Sequence, residues 1–264
     1  MSLILRALRS IALGLHLLGG IVIAALIFGW AGAGIRHALT LLWSRNLLRI
    51  LGVRTSINGS IGRREERGLI IIANHVSWLD IFLLSAIHPI RFISKSEVRS
   101  WPLLGWLATL TGTLYIERAR QRDTARVNKL ITGALSRGEC LAFFPEGSTT
   151  DGREIKPFLA SLFQPAIDAE AQLQPIALRY FKADGSPDLA PAYYGDISLA
   201  ETLKQIMGQR CTQAEVSFLS RMESKGHNRK TLARQAEHII SSALNLADPR
   251  TKPEKPGDPQ GARP

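Results

Sequence analysis

Cysteine is nearly missing from this chain, which holds Cys140 and Cys211 in 264 residues. No CxxC pair and no zinc-type Cys/His spacing occurs, which excludes structural zinc sites of those kinds. Two thiols make no disulfide framework, and a chain of this length buries a full core without one. Cys140 opens an apolar run and reads as a small core residue; a reducing compartment fits. Glycine-rich phosphate signatures are also lacking: there is no Walker loop and no dinucleotide GxGxxG. No G-x-S-x-G elbow is present, so a serine hydrolase of the α/β type is unsupported, and no internal repeat is visible. Acidic residues are outnumbered, 22 Asp and Glu against 33 Lys and Arg, for a net charge of +11. Such a balance suits an anionic partner, either nucleic acid or an anionic membrane surface.

Charge itself is missing between Arg9 and Arg36, where the chain reads SIALGLHLLGGIVIAALIFGWAGAG. About 20 apolar residues span a bilayer, so residues 1–52 are read as an N-terminal membrane anchor followed by an interfacial helix. Six glycines (14, 19, 20, 29, 32 and 34) interrupt the stretch, which leaves one span and a helical hairpin both open. Ala31-Gly32-Ala33 resembles a signal-peptide cleavage site, but the apolar part is longer than a signal core of roughly 7–15 residues. Arginines flank both ends, so the positive-inside rule sets no orientation; a hairpin returning to the cytoplasmic face would satisfy both clusters. From His37 to Leu51, leucines at 41, 42, 47, 48 and 51 alternate with polar residues at helical spacing. That pattern suits an interfacial helix or a plain core-packing one.

Beyond residue 53, apolar β-branched runs alternate with helical patterns. Strands are expected at 69–73, 91–94, 113–116, 140–144, 173–180 and 214–219. Helices are expected after Ser77, over 103–110 with Trp101 and Trp106 as anchors, over 123–136 and over 229–246. The fold class is therefore α/β, a layered sheet flanked by helices, with a catalytic unit over 53–247. Residues 248–264 hold five prolines and read as a disordered tail.

Three expected strands end in polar residues out of keeping with their surroundings, where sites of α/β sheets gather. The first is followed by Asn74-His75-Val76-Ser77-Trp78-Leu79-Asp80, the third by Glu117-Arg118, and the fourth by Pro145-Glu146-Gly147-Ser148. A histidine takes a proton from a hydroxyl most effectively when its other ring nitrogen donates to a carboxylate. Five residues apart in one helix, His75 and Asp80 would diverge by about 140°. They meet only if His75 lies in the turn before a helix and Asp80 in its first turn. Ser77-x-x-Asp80 also fits a capping box, so a structural pair and a catalytic pair both remain open. Glu146 needs partners if buried, Gly147 permits positive φ, and Arg118 offers a donor fork for phosphate or carboxylate. An Arg118–Glu146 salt bridge is the plainer alternative. Arg118-Ala-Arg120-Gln-Arg122 suits the phosphates of coenzyme A or anionic lipid, or else a solvated helix start.

Asn74-His75 with Asp80, Gly112 through Arg118, Phe144-Pro145-Glu146-Gly147 and Pro175-Ile-Ala-Leu178 together resemble, in order, the four motifs of the glycerolipid acyltransferases. The resemblance runs from about Val53 to Leu246. It implies a fold like that of glycerol-phosphate acyltransferases, and transfer of a fatty acyl group from acyl-CoA or acyl carrier protein to a lysolipid hydroxyl. By this resemblance His75 is the general base and Asp80 orients it. Arg118, Glu146, Gly147 and Ser148 bind the acceptor, and Pro175 shapes the site around the acyl donor. It implies no metal and no bound cofactor, because the thioester is already activated. The expected partners are the lysolipid, the thioester donor and anionic membrane lipids, without nucleic acid. The expected location is a bacterial-type inner membrane with the catalytic part facing the cytoplasm. Where many members carry an arginine after the third motif, this chain has Thr149, as the lyso-ornithine-lipid branch does. On the resemblance, 1-acyl-glycerol-3-phosphate stands first as acceptor and lyso-ornithine lipid second. A lipid-binding protein without catalysis is the rival from another class.

Overall fold

A computed structural model describes residues 3–61, 68–100, 104–116 and 121–250, with the side chains of 104 and 121–126 left aside. In chain order its helices and strands are α1 (Leu3–Ile27), α2 (Ala33–Leu51), β1 (Val53–Asn58), β2 (Leu69–Ala73), α3 (Leu79–Ser85), β3 (Arg91–Lys95), α4 (Leu104–Leu110), β4 (Leu114–Ile116), α5 (Gln121–Ser136), β5 (Cys140–Phe143), α6 (Gln164–Asp168), β6 (Gln172–Phe181), α7 (Leu199–Gly208), β7 (Thr212–Phe218), β8 (Met222–Glu223) and α8 (Arg229–Leu244).

The strands form one mixed sheet in the order β1-β7-β6-β2-β5-β3-β4, with β8 also paired to β6. From β6 to β4 the neighbours run parallel, while β7 and β8 run antiparallel to β6. Strand β2 lies in the middle and is apolar at every position because both its faces are covered. Ile70 and Ile72 point into one core layer, with α5 and α8. Ile71 and Ala73 point into the other, with α2, α3 and α7. Burying a side chain of that size stabilises the fold by about 1.5–3 kcal/mol. This central anchoring holds the carboxyl end of β2 rigid, and the site is built there.

The N-terminal helices fold back on each other. Gly20 is needed at their contact: a Cβ there would lie 2.3 Å from Nε1 of Trp43. Trp43 and His16 stack at 4.7 Å, and each ring N–H donates to the other residue's carbonyl, at 3.0 and 3.3 Å. Among the described residues α1 is long and apolar enough to cross a membrane, at about 37 Å. Most of its large apolar side chains, Leu8, Ile11, Leu15 and Leu26 among them, are exposed. Its polar first turns are fastened to the catalytic layer: Nη1 of Arg9 donates to Gln209 O at 2.9 Å and Nη2 to Arg210 O at 2.9 Å. The leucines of α2 divide between the core and the surface. Leu47, Leu48 and Leu51 pack in the core, whereas Leu42 is exposed.

The edge of the sheet and the C-terminal boundary differ from expectation. The strand β1 was not expected, because only Val53 of its six residues is buried and an edge strand of that kind carries no apolar alternation. The ordered chain also continues past 247. Arg250, expected in the tail, donates from Nε to Oε1 of Glu237 at 2.7 Å, and residues 251–264 fall outside the described part. Trp101, Glu117 and Arg118 lie outside it as well.

Candidate active site

β2 and β5 are parallel neighbours in register, with Ile72 opposite Phe143. The segments that leave their carboxyl ends therefore emerge side by side. This adjacency brings His75 to Glu146, 71 residues apart: the backbone N–H of His75 donates to Oε1 of Glu146 at 2.7 Å.

Asp80 organises the turn between β2 and α3. Its Oδ2 accepts from the backbone N–H of Val76 at 2.8 Å and of Ser77 at 2.9 Å. The same oxygen lies 2.8 Å from Nδ1 of His75. The helix begins at Leu79 rather than Ser77, and Ser77 Oγ accepts from Leu79 N at 3.1 Å. His75 thus sits in the turn and Asp80 in the first helical turn, as the spacing required. A carboxylate surrounded by donors fixes the tautomer: Nδ1 carries the proton and Nε2 keeps its lone pair. The imidazole is 18% exposed while Asp80 is wholly buried, so the ring reaches the surface and the carboxylate beneath it does not. Phe144 stacks on the imidazole at 3.9 Å with planes 8° apart, which holds the ring from its flat side.

Tyr180 is the residue that sequence reasoning missed. Its hydroxyl donates to Oδ1 of Asp80 at 2.6 Å, so both carboxylate oxygens are engaged. Burial, and then the charge of Asp80, push the phenol well above its ordinary value, which keeps it a donor. On the strand it reads as one more core aromatic. Asn74 ties the same segment to β6 from the other side, donating to Leu178 O at 3.0 Å and accepting from Leu178 N at 2.8 Å.

Glu146 is buried and has a second backbone partner, Lys156 N, at 2.9 Å from Oε2. Burial raises its pKa to about 7, against the lowering effect of the hydrogen bonds from Lys156 and His75. Gly147 adopts φ of 73°, the left-handed conformation that glycine takes without cost. Ser148 Oγ accepts from Nζ of Lys156 at 2.9 Å, and Thr149 O lies 3.1 Å from that ammonium. The Thr149 hydroxyl donates to Tyr193 O, and Thr150 N donates to His75 O at 2.9 Å. Beside this loop opens a groove of about 410 Å³ lined by Thr149, Asp151, Arg153, Glu154, Lys156 and Tyr194 among others.

The fold brings His75, Asp80, Glu146, Gly147 and Ser148 together. Pro175 stands within β6 beside Ile72, in the break between the β7 and β8 pairings. Its carbonyl accepts from Leu219 N at 3.0 Å, and a missing N–H breaks no ladder bond there.

The acyltransferase family model matches residues 54–179. The lyso-ornithine lipid O-acyltransferase of Pseudomonas aeruginosa is 36% identical over 239 residues, covering 90% of this chain and 91% of that protein. The 1-acyl-sn-glycerol-3-phosphate acyltransferase of Neisseria meningitidis serogroup B is 37% identical over 184 residues, covering 70% and 71%. The crystal structure of the 1-acyl-sn-glycerophosphate acyltransferase of Thermotoga maritima superposes with a TM-score of 0.57 at 17% identity, over 91% of this chain and 96% of that one. A shared fold, a match along nine-tenths of a curated relative and a histidine oriented by a buried aspartate lead to one conclusion: the chain belongs to the glycerolipid acyltransferase family and is an acyltransferase.

Proposed function

We propose that the enzyme moves a fatty acyl group from a thioester, acyl-CoA or acyl carrier protein, to the hydroxyl of lyso-ornithine lipid. The observation that carries acyl transfer is the 2.8 Å contact between His75 Nδ1 and Asp80 Oδ2, with the imidazole partly exposed. Nε2 of His75 takes the proton of the acceptor hydroxyl as its oxygen attacks the thioester carbonyl. The tetrahedral intermediate collapses, the C–S bond breaks, and the imidazolium returns its proton to the departing thiolate. General-base help of this kind contributes about 10²–10⁴-fold. Positioning and stabilisation of the oxyanion supply the rest. The activated thioester needs neither a metal nor a covalent acyl-enzyme.

Two observations favour the ornithine acceptor. The Pseudomonas relative matches along nearly the whole chain, and the neutral Thr149 is occupied with Tyr193. The neisserial relative supports 1-acyl-glycerol-3-phosphate as the second reading, as would Arg118 through its phosphate-suited guanidinium. Within the family fold, Arg118, Glu146, Gly147 and Ser148 hold the acceptor and Pro175 shapes the donor side. The apolar helix α1 and the net charge of +11 support a location at the inner membrane with the site toward the cytoplasm, in keeping with anionic lipid there.

The test is full-length protein in detergent, given each donor with a panel of labelled lysolipids, beside His75→Ala. Turnover that is highest with lyso-ornithine lipid and lost in the variant is expected. Near-wild-type turnover by His75→Ala would remove the base from the mechanism.

A further inference from the structure

The groove beside the third motif is lined by charges that cancel. Arg153 and Lys156 are cationic, Asp151 and Glu154 anionic, in a chain whose net charge is +11. Lys156 is not a loose surface lysine. Its Nζ is fixed by Ser148 Oγ at 2.9 Å and Thr149 O at 3.1 Å, and its backbone N–H holds Glu146. With two of its three donors engaged, the ammonium has one left to offer. Asp151 is braced as a turn residue, Oδ1 accepting from Arg153 N at 2.9 Å, and its Oδ2 lies 3.9 Å from Arg153 Nε. Glu154 is exposed. Thr150, on the groove wall, donates its backbone N–H to His75 O at 2.9 Å, so the groove wall is tied to the turn that carries the imidazole.

We propose that this groove is the acceptor head-group subsite, and that it reads a zwitterion: Lys156 binds a carboxylate while Asp151 and Glu154 receive an ammonium. The assignment rests on the lyso-ornithine reading above and deepens it. An ornithine whose α-nitrogen carries the acyl amide presents one carboxylate and one side-chain ammonium, the ammonium lying three methylenes further from the acyl-chain hydroxyl. A phosphate monoester presents negative charge alone and would meet two carboxylates in the same groove. Like charges placed together are how a site rejects the wrong ligand. Lys156 and the two acids are therefore specificity residues, not catalytic ones.

The experiment uses full-length protein in detergent with acyl-CoA and acyl carrier protein thioesters both supplied. Four acceptors are compared: lyso-ornithine lipid, its norvaline-headed analogue without the ammonium, its carboxyl methyl ester, and 1-acyl-glycerol-3-phosphate. Lys156→Met is expected to raise KM about tenfold for the ornithine and norvaline acceptors and to leave the ester within about twofold. Lys156→Arg restores most of the loss. Asp151→Asn combined with Glu154→Gln is expected to raise KM about tenfold for the ornithine lipid and its ester, leaving the norvaline analogue within about twofold. Donor KM and melting temperature stay unchanged in the double variant. Equal effects on all acceptors, or none, in variants that melt like the wild type overturn the groove assignment while the acceptor reading stands. A wild type that acylates 1-acyl-glycerol-3-phosphate but not lyso-ornithine lipid overturns both.

Discussion

The two segments that build the site are braced in opposite ways. The turn after β2 is tied by side chains to the neighbouring strand β6, through Asn74 to Leu178 and Asp80 to Tyr180, all inside the core. The loop after β5 is pinned at its ends, where Leu159 N donates to Pro145 O at 2.9 Å and Phe158 N to Oε2 of Glu237 at 2.6 Å. Thr150 ties it further to His75, and only the tip beyond is open, with Gly152, Arg153 and Glu154 exposed. The difference separates chemistry from choice. On the roles proposed above, a base must keep one geometry, so it stands on the sheet, whereas a head-group contact at the loop tip can vary without moving the imidazole.

Substitutions graded along these two segments break or sharpen that contrast. The largest effect is expected within the first turn. His75→Ala, or Asp80→Asn with its lost acceptor and wrong tautomer, should reduce kcat about 10³-fold with little change in donor binding. Single-turnover acyl transfer measures this, and a loss below about tenfold would contradict the assignment. Next comes Glu146, which joins the two segments. Glu146→Gln sets an amide N–H₂ against one backbone N–H and should cost about 10–100-fold in kcat/KM.

Glu146 also predicts a pH dependence. Burial lifts its pKa from 4.5 to about 7, so the folded protein holds a proton that the unfolded chain releases between those values. That contribution is fully present below 4.5 and is lost as pH rises through about 7, by up to about 3 kcal/mol. Melting curves at pH 5 and 8 should show the wild type losing this stability relative to Glu146→Gln; parallel curves would refute it. Tyr180→Phe comes third. It leaves Oδ1 of buried Asp80 without its hydroxyl donor, at a cost of about 1.5–3 kcal/mol in stability and about tenfold in kcat. The smallest effect on turnover is expected from Glu237→Gln. It weakens the pin at Phe158 and the ion pair with Arg250, so it should lower the melting temperature while kcat changes less than about threefold. A larger kcat loss would mean that the loop ends also position the base.

The chain displays the first of these layers openly and hides the second. His75, Asp80 and Glu146 are legible because polar residues directly after apolar runs are costly without a purpose, but the bond from His75 N to Glu146 depends on the pairing of β2 with β5, which the sequence does not display. Tyr180 is illegible because its partner lies 100 residues away and nothing local distinguishes it from a core aromatic. The start of α3 shifts for a related reason: Asp80 satisfies Val76 and Ser77 from within the helix, so the turn persists two residues beyond Ser77. The helix α7 carries a capping box between Ser198 and Glu201, a signal that sequence reading passed over. The fate of the α2 leucines depends on which neighbours arrive, and periodicity cannot choose between lipid and protein as the apolar partner.

The arginines at the start of α1 grip the carbonyls at the end of α7 and just past it, while the rest of that helix carries its apolar side chains outward. With α1 in the bilayer, as proposed, a grip at that end would make the catalytic part ride with the membrane as it undulates. The acceptor can then arrive by lateral drift within its own leaflet, and a two-dimensional search replaces extraction into water as the route to the cleft.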